Sequence, residues 1–144
     1  MLSKKQALLF FLGGTLLFSI IFIVMSIDTV SRGIPAHTHE ENMTAQVIHG
    51  RVLWDENNCM GCHTLMGEGA YYAPELTKVY DRLGPDVMKA ILTSKVPWAP
   101  NGRKMVAYGF SNEDAEGLIA FLKWTGEIDL NGYPATPPLK NKLK

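Results

Sequence analysis

The feature that most constrains the fold of this chain is a short stretch, NNCMGCHTL at residues 57–65, that contains both of its cysteines. Cys59 and Cys62 are separated by two residues, and His63 follows directly. A structural zinc site needs four nitrogen or sulfur ligands, and the other histidines lack the spacing of a finger or ribbon. A thioredoxin-like dithiol needs a preceding strand, whereas the sequence before Cys59 predicts a helix. A c-type haem attachment motif accounts for all three residues.

This interpretation predicts one covalently bound haem c. The two cysteines would bind its vinyl groups, and His63 would be an axial ligand of its iron. Of the seven methionines, Met105 is the best candidate for the opposite ligand, because it lies far from the motif, in an irregular stretch before the last predicted helix. Met66 is too close to His63 in the sequence to cross to the opposite face, and Met88 is expected to fill the core. A methionine sulfur would close the iron and raise its reduction potential.

An uncharged apolar stretch precedes the motif, from Gln6 to Ile27. As a helix it would be about 33 Å long, which matches the ~30 Å hydrocarbon core of a bilayer. A cleaved signal peptide is the alternative, but its apolar core has only ~7–15 residues and a small-residue cleavage site follows it. We therefore expect one uncleaved anchor in a bacterial cytoplasmic membrane. Lys4 and Lys5 precede it and a lone Arg32 follows, which predicts a cytoplasmic N-terminus and a periplasmic haem domain.

These features predict an anchor at 1–28, a linker at 29–42 and a haem domain at 43–144, with a Pro/Lys-rich tail from about 131. The linker is polar, contains Pro35 and shows no periodicity. A domain of this length forms a modest core, and a large cofactor would enlarge it. The chain has 14 Lys+Arg and 14 Asp+Glu without a basic stripe. We therefore expect no nucleic acid among its partners. The predicted anchor implies contact with membrane lipid.

The haem domain begins with a predicted helix that leads to Cys59. Asn42 or Thr44 is a suitable N-cap, and apolar residues follow at helical spacing. Gly50 lies in the middle of this helix, where glycine costs about 1 kcal/mol relative to alanine. We therefore expect another backbone to approach the helix closely at this position.

A second predicted helix lies near the C-terminus, with a start signal at Ser111 and a stop signal at Gly126. Shorter helices are predicted at 75–83 and at 84–94, where Pro85 suits a first-turn position. We find no convincing run of residues that alternates as a strand would. The fold class is therefore all-α, and the arrangement resembles a class I cytochrome c fold behind one N-terminal transmembrane helix.

Three segments carry a more specific resemblance: NNCMGCHTLMGEGAYYAPEL at 57–76, GRKMVAYGFS at 102–111 and FLKWTGEID at 121–129. Together they resemble the cytochrome c subunit of bacterial cytochrome-c-dependent nitric oxide reductase. The attachment pentapeptide is common to all c-type cytochromes, and the Gly-Glu-Gly-Ala-Tyr run after it is much more specific. The resemblance covers the anchor and essentially all of residues 43–130, although the segment at 78–100 and the tail match loosely.

This resemblance implies a subunit that takes up electrons and has no catalytic centre of its own. A soluble periplasmic cytochrome c or cupredoxin would reduce its haem, and the electron would pass to a haem b in a large membrane-embedded subunit. There, a haem b and non-haem iron centre would reduce nitric oxide to nitrous oxide. The resemblance also implies that backbone carbonyls of Gly69 and Tyr71 help to bind a calcium ion shared with that subunit. Two such oxygens cannot complete a shell of ~6–8 ligands.

Two other functions remain open from the sequence. A membrane-anchored monohaem cytochrome that serves a terminal oxidase would satisfy the same motif and Met105. A haem enzyme or gas sensor would instead keep an open sixth position on the iron. Arg103 and Lys104 are as compatible with contacts to the haem propionates or to the donor as with a solvated loop.

Overall fold

The chain divides into two units, one that ends at His37 and one that begins at Thr38. The structure is a computed structural model that describes residues 3–99 and 102–134. The predicted tail from about 131 therefore lies, from residue 135 onwards, outside the described residues.

The first unit is helical. Helix α1 spans Lys4–Asp28, a wider π-helical turn covers Thr29–Gly33, and helix α2 covers Ile34–Thr38. The hydroxyl of Ser3 caps α1 by accepting a hydrogen bond from the backbone N–H of Gln6, whose side chain accepts one in return. Among the described residues, this is the one helix long and apolar enough to cross a membrane, with a mean hydropathy of 2.6 in its most apolar part.

The helix continues beyond the predicted anchor into the predicted linker at 29–42, as far as Thr38. Its 35 residues would span about 52 Å, more than the ~30 Å core of a bilayer. Pro35 is accommodated because the preceding turn is widened: the backbone N–H of Ile34 bonds to the carbonyl of Thr29, five residues back. A polar composition alone could not distinguish this exposed helix from a loop.

The second unit consists of helices and one minimal hairpin. Its elements are a 3-10 turn at Glu40–Asn42, α3 at Ala45–Glu56, a 3-10 turn at Cys59–Gly61, strands β1 at Thr64–Leu65 and β2 at Glu68–Gly69, and helices α4 at Val79–Leu83, α5 at Pro85–Thr93 and α6 at Asn112–Glu127. The two strands are antiparallel, with Thr64 opposite Gly69. The predicted all-α class is confirmed, and strands of two residues are too short to show an alternating pattern in the sequence.

Helices α3 and α6 cross at two glycines. A Cβ placed on Gly50 would lie 1.9 Å from the carbonyl oxygen of Gly117, so the two backbones are in contact. The predicted close approach at Gly50 is confirmed. Near this crossing the rings of Trp54 and Phe121 pack with their centroids 5.9 Å apart. Other buried core residues are Val47, Leu65, Val79, Met88, Leu118, Ile119 and Leu122.

Both predicted N-caps are present, whereas the predicted stop signal is not used. The hydroxyls of Thr44 and Ser111 each accept a hydrogen bond from the third residue of the helix that follows. Gly126 was predicted to end α6, but the helix runs on to Glu127. A Cβ at Gly126 would lie 2.9 Å from the carbonyl oxygen of Thr77. Close packing, not a left-handed helix end, therefore explains this glycine.

The two short helices follow the prediction in part. The first, predicted at 75–83, begins only at Val79. Pro85 is the first residue of α5, as predicted, and Gly84 joins the two helices with a φ of +74° that favours glycine. Met88 is 4% exposed, which confirms its place in the core.

Candidate haem site

A cavity of about 760 Å³ lies in the second unit. Its volume falls within the ~300–1,000 Å³ of typical cofactor and ligand sites. Apolar and aromatic side chains such as Leu83, Ile91 and Tyr108 form much of the wall. The cavity is also lined by all four residues that the sequence predicts as haem contacts, Cys59, Cys62, His63 and Met105.

The two cysteines lie on a tight turn that follows α3. The side-chain amide of Asn57 donates a hydrogen bond of 2.8 Å to a carbonyl in the last turn of α3. Asn58 then adopts a left-handed conformation with a φ of 49°, which asparagine tolerates better than most residues. The 3-10 turn at Cys59–Gly61 follows, and the N–H of His63 donates to the carbonyl of Cys59 at 3.0 Å. These bonds hold all three motif residues on one turn, with both thiols free.

The imidazole of His63 is oriented by one backbone contact. Its Nδ1 lies 2.7 Å from the carbonyl oxygen of Pro74, which also lines the cavity. A carbonyl can only accept, so Nδ1 carries a proton, and in the neutral imidazole this leaves the lone pair on Nε2. A backbone carbonyl that fixes the tautomer in this way is the usual support of a metal-binding histidine.

Met105 lines the same cavity and lies in the segment that precedes α6, far from the attachment turn in the sequence. Its N–H donates a 2.8 Å hydrogen bond to the carbonyl of Trp98, and the two residues pair as an isolated antiparallel bridge. Among the described methionines, Met105 is the one that lines the cavity. Met66 is on a turn with a φ of 52°, and Met88 is buried in the core. The structure thus brings Met105 and His63 together, while ligation of the iron stays a prediction.

A small inner cavity continues this site towards the core. It has a volume of about 50 Å³, and Trp54, Cys59, His63, Met105 and Tyr108 are among its lining residues. Trp54 Nε1 is the buried side-chain polar atom that has no hydrogen-bond partner among the described residues. The larger cavity of about 760 Å³ is mostly apolar and is lined by an imidazole, a thioether and two thiols, which suits a macrocycle with a central iron. The residues present therefore fit a haem.

Burial also affects the chemistry of the attachment turn. The pKa of the Cys59 thiol is raised to about 11, mainly by burial and to a smaller extent by the nearby Cys62 and Asp55. The Cys59 thiol is therefore protonated at neutral pH until a thioether forms. Burial, and then the two cysteines, also raise the pKa of Tyr108. Tyr108 stacks on Phe110 with ring centroids 5.1 Å apart, and sequence reasoning did not single out either ring.

Two basic residues beside Met105 also line the cavity. Arg103 and Lys104 were not counted among the predicted site residues, because a charged loop face is common in any soluble domain. In the structure, Arg103 Nη1 donates to the carbonyl of Tyr72, and the guanidinium lies 5.4 Å from the centroid of the Tyr72 ring. The contact joins residues far apart in sequence, so no local pattern could have revealed it.

The loop after the hairpin is bonded to the attachment turn. The N–H of Ala70 donates to the carbonyl of Met60 at 2.9 Å, and that of Ala73 donates to the carbonyl of Cys62 at 2.8 Å. Gly69 has a φ of +121°, and a Cβ there would lie 2.3 Å from the carbonyl oxygen of His63. Glycine is therefore required at this position by packing alone. Tyr71 is 81% exposed, and the calcium site predicted at these two residues stays a prediction.

The fold, the attachment turn and the cavity define a c-type cytochrome. The family model for cytochrome c matches residues 47–126. The C subunit of nitric oxide reductase from Halomonas halodenitrificans is 37% identical over 144 residues, which cover 94% of this chain and 96% of the relative. The protein of the same name from Stutzerimonas stutzeri is 36% identical over 137 residues, with 92% and 93% covered. The chain therefore belongs to the family of nitric oxide reductase C subunits.

A third relative shares less of its length. Cytochrome c oxidase subunit 2 from Alkalihalophilus pseudofirmus is 31% identical over 107 residues, which cover 67% of this chain but only 30% of the relative. Family membership makes the chain a non-catalytic electron-transfer cytochrome of an oxidoreductase complex, with covalently bound haem c. Its N-terminal apolar helix is the candidate membrane anchor.

Proposed function

We propose that this chain accepts electrons from a soluble periplasmic donor, either a small cytochrome c or a cupredoxin. It passes them to haem b of a large membrane-embedded subunit that reduces nitric oxide to nitrous oxide. The observation that carries this proposal is the convergence of Cys59, Cys62, His63 and Met105 on one cavity. A haem held there by histidine and methionine is closed to exogenous ligands, which suits electron transfer better than gas binding.

In this proposal, His63 Nε2 and the Met105 sulfur are the axial ligands of the iron. The bond from His63 Nδ1 to Pro74 and the bridge between Met105 and Trp98 support it, because each fixes one ligand from its own backbone segment. Carbon monoxide added to the ferrous protein tests the ligation. Slow or negligible binding is expected, and rapid binding would favour the gas sensor or haem enzyme.

The proposed topology places the N-terminus in the cytoplasm and the haem domain in the periplasm. Lys4 and Lys5 precede the apolar span, and only Arg32 follows it closely, which agrees with the positive-inside rule. An anchor at 1–28 with a segment at 29–42 before the haem domain is part of this proposal. Protease added to intact spheroplasts should digest the haem domain, and protection of that domain would reverse the topology.

We further propose that the loop from Gly67 to Pro74 contacts the large subunit, and that the carbonyls of Gly69 and Tyr71 contribute to a calcium site completed by it. Exposure of Tyr71 and the bonds from the loop to the attachment turn support this surface. Tyr71→Ala in the intact complex should slow electron transfer from haem c to haem b and leave reduction by the donor unchanged. Val87→Ala, at an exposed site on α5, is the matched control.

Isolation of the native membrane complex tests the whole proposal. The chain should copurify with a subunit that contains haem b and non-haem iron, and metal analysis should also find calcium. In stopped-flow experiments the donor should reduce haem c before haem b. Copurification with a copper-containing terminal oxidase would contradict the proposal and favour the alternative electron-transfer role.

A further inference from the structure

The charged side chains around the cavity all have one sign. Arg103 and Lys104 line it, and no aspartate or glutamate does so within residues 3–99 and 102–134. The formal charge of these two side chains is therefore +2 in a chain whose overall formal charge is zero. Such a wall favours an anionic group on whatever occupies the cavity.

The two cations are held differently. The guanidinium of Arg103 donates one of its five N–H groups to the carbonyl of Tyr72 and lies over the ring of the same residue. Both residues line the cavity, so the bond bridges its two sides, from the Met105 segment to the segment that follows His63. The side chain of Lys104 makes no hydrogen bond or ion pair with any residue in the described part of the chain. Arg103 is therefore positioned before any ligand binds, with N–H groups to spare.

A haem would bring two propionate carboxylates to this mostly apolar cavity. A carboxylate moved out of water requires a charged or multiply hydrogen-bonded partner. A guanidinium meets this need best, because its planar fork can donate two parallel hydrogen bonds to one carboxylate. In the described lining, Arg103 is the side chain that offers both this fork and a fixed position.

We propose that Arg103 binds a haem propionate and, through the carbonyl of Tyr72, holds the segment that carries Met105 against the segment that follows His63. The proposal rests on the haem c of the proposed function and adds a positioning residue to it. Arg103 thereby has two effects: it neutralises a propionate and it fixes the loop of the sixth ligand. Its positive charge favours the ferrous over the ferric haem, because reduction adds one negative charge to the cavity.

The experiment uses the full-length, haem-loaded chain in detergent and compares Arg103→Gln, Arg103→Lys and the matched control Lys104→Gln. Redox titration at the haem absorbance band measures the reduction equilibrium. At an effective dielectric constant of ~20, the interaction of two unit charges about 12 Å apart corresponds to a factor of ten in an equilibrium. Loss of the Arg103 charge at a distance of this order should therefore change the reduction equilibrium about tenfold, or about 59 mV for a one-electron couple. Arg103→Gln should show this decrease, and Arg103→Lys should recover most of it. Lys104→Gln should change the equilibrium less than threefold, because no hydrogen bond or ion pair in the described part of the chain holds the exposed charge of Lys104 in one place.

Resonance Raman spectra of the propionate bending mode give a second measurement. The band should shift in both Arg103 variants and stay unchanged in Lys104→Gln. A wild-type potential in Arg103→Gln, or an equal decrease in Lys104→Gln, would overturn the proposal. If Arg103→Gln fails to retain haem, an unchanged propionate band in Arg103→Lys overturns it equally. Absence of covalent haem from the wild-type chain would instead contradict the proposed function, so the two failures are distinguishable.

Discussion

The crossing of α3 and α6 offers the most stringent test of the packing. Replacing Gly50 by alanine adds one methyl carbon, which would lie 1.9 Å from the carbonyl oxygen of Gly117 and 2.4 Å from its carbonyl carbon. Both neighbours are backbone atoms within α6, so neither can rotate away as a side chain could. The two helices must move apart to admit the methyl group.

Two effects of opposite sign contribute to the free energy of unfolding of this variant. Alanine is the better helix former and favours the variant by about 1 kcal/mol. Overpacking a well-packed core costs ~1–3 kcal/mol and occasionally more. We expect the upper end of that range, because the required movement exceeds 1 Å and also separates Trp54 from Phe121. The net loss should be about 2 kcal/mol, which corresponds to a decrease of about 8–16 °C in Tm for a domain of this size.

Denaturant unfolding of the full-length, haem-loaded protein in detergent, followed by far-UV circular dichroism and haem absorbance, measures this loss. Gly117→Ala is the matched control. Its Cβ would lie 2.9 Å from the ring of the exposed His49, which can move aside by giving up its hydrogen bond to Asp114, and 3.3 Å from the nearest backbone atom. The control should therefore lose less stability. A Gly50→Ala variant as stable as the wild type, or more stable, would show that helix propensity dominates and would refute the packing argument.

The other predictions concern the haem and the acid stability. Changing Cys59 and Cys62 together to alanine should abolish covalent haem retention on stained denaturing gels, and a band that keeps its haem would end the c-type interpretation. Met105→Ala should remove the weak near-red methionine–iron band and lower the reduction potential, whereas Met66→Ala should leave both unchanged. The pKa of Asp114 is lowered below 3.8, first because Ser111 donates a hydrogen bond to its carboxylate and then because His49 does so. The stability that Asp114 contributes is therefore present above that pH and is lost as the pH falls through the lowered pKa. Asp114→Asn should therefore flatten the loss of stability below about pH 4 in urea titrations, and an unchanged acid profile would contradict this.

The parts of the fold that the sequence predicts are those that depend on local chemistry. A hydroxyl before an apolar run marks the starts of α3 and α6, because the first helical N–H groups need an acceptor from their own neighbourhood. Gly50 was informative because its cost within a helix requires a compensating contact. The two cysteines and His63 are held by one turn of backbone, so their proximity follows from the sequence itself.

The parts that the sequence does not predict depend on partners far along the chain. In the sequence, Gly126 is typical of a helix end, whereas in the structure it is explained by close packing against the backbone of Thr77. Arg103 is bonded to Tyr72, 31 residues away in the sequence, and this spacing is not typical of any motif. Met105 could be chosen by elimination among the methionines. Its position in the cavity needed the tertiary structure, and its bond to iron is still a prediction.

The haem cavity and the core share residues, which links the haem to folding. Cys59, His63 and Met105 line the haem cavity and also the inner cavity that reaches Trp54 and Leu118. A group that binds the folded state more tightly than the unfolded state stabilises the folded state by that difference. In the proposed attachment, the thioether bonds would persist in both states and would contribute little to the difference, and His63, the residue after Cys62, would stay close to the iron even in the unfolded chain. In the proposed ligation, Met105 reaches the iron only in the folded state. The methionine bond and the contacts of the macrocycle with the cavity wall would therefore be the interactions through which the haem stabilises this domain.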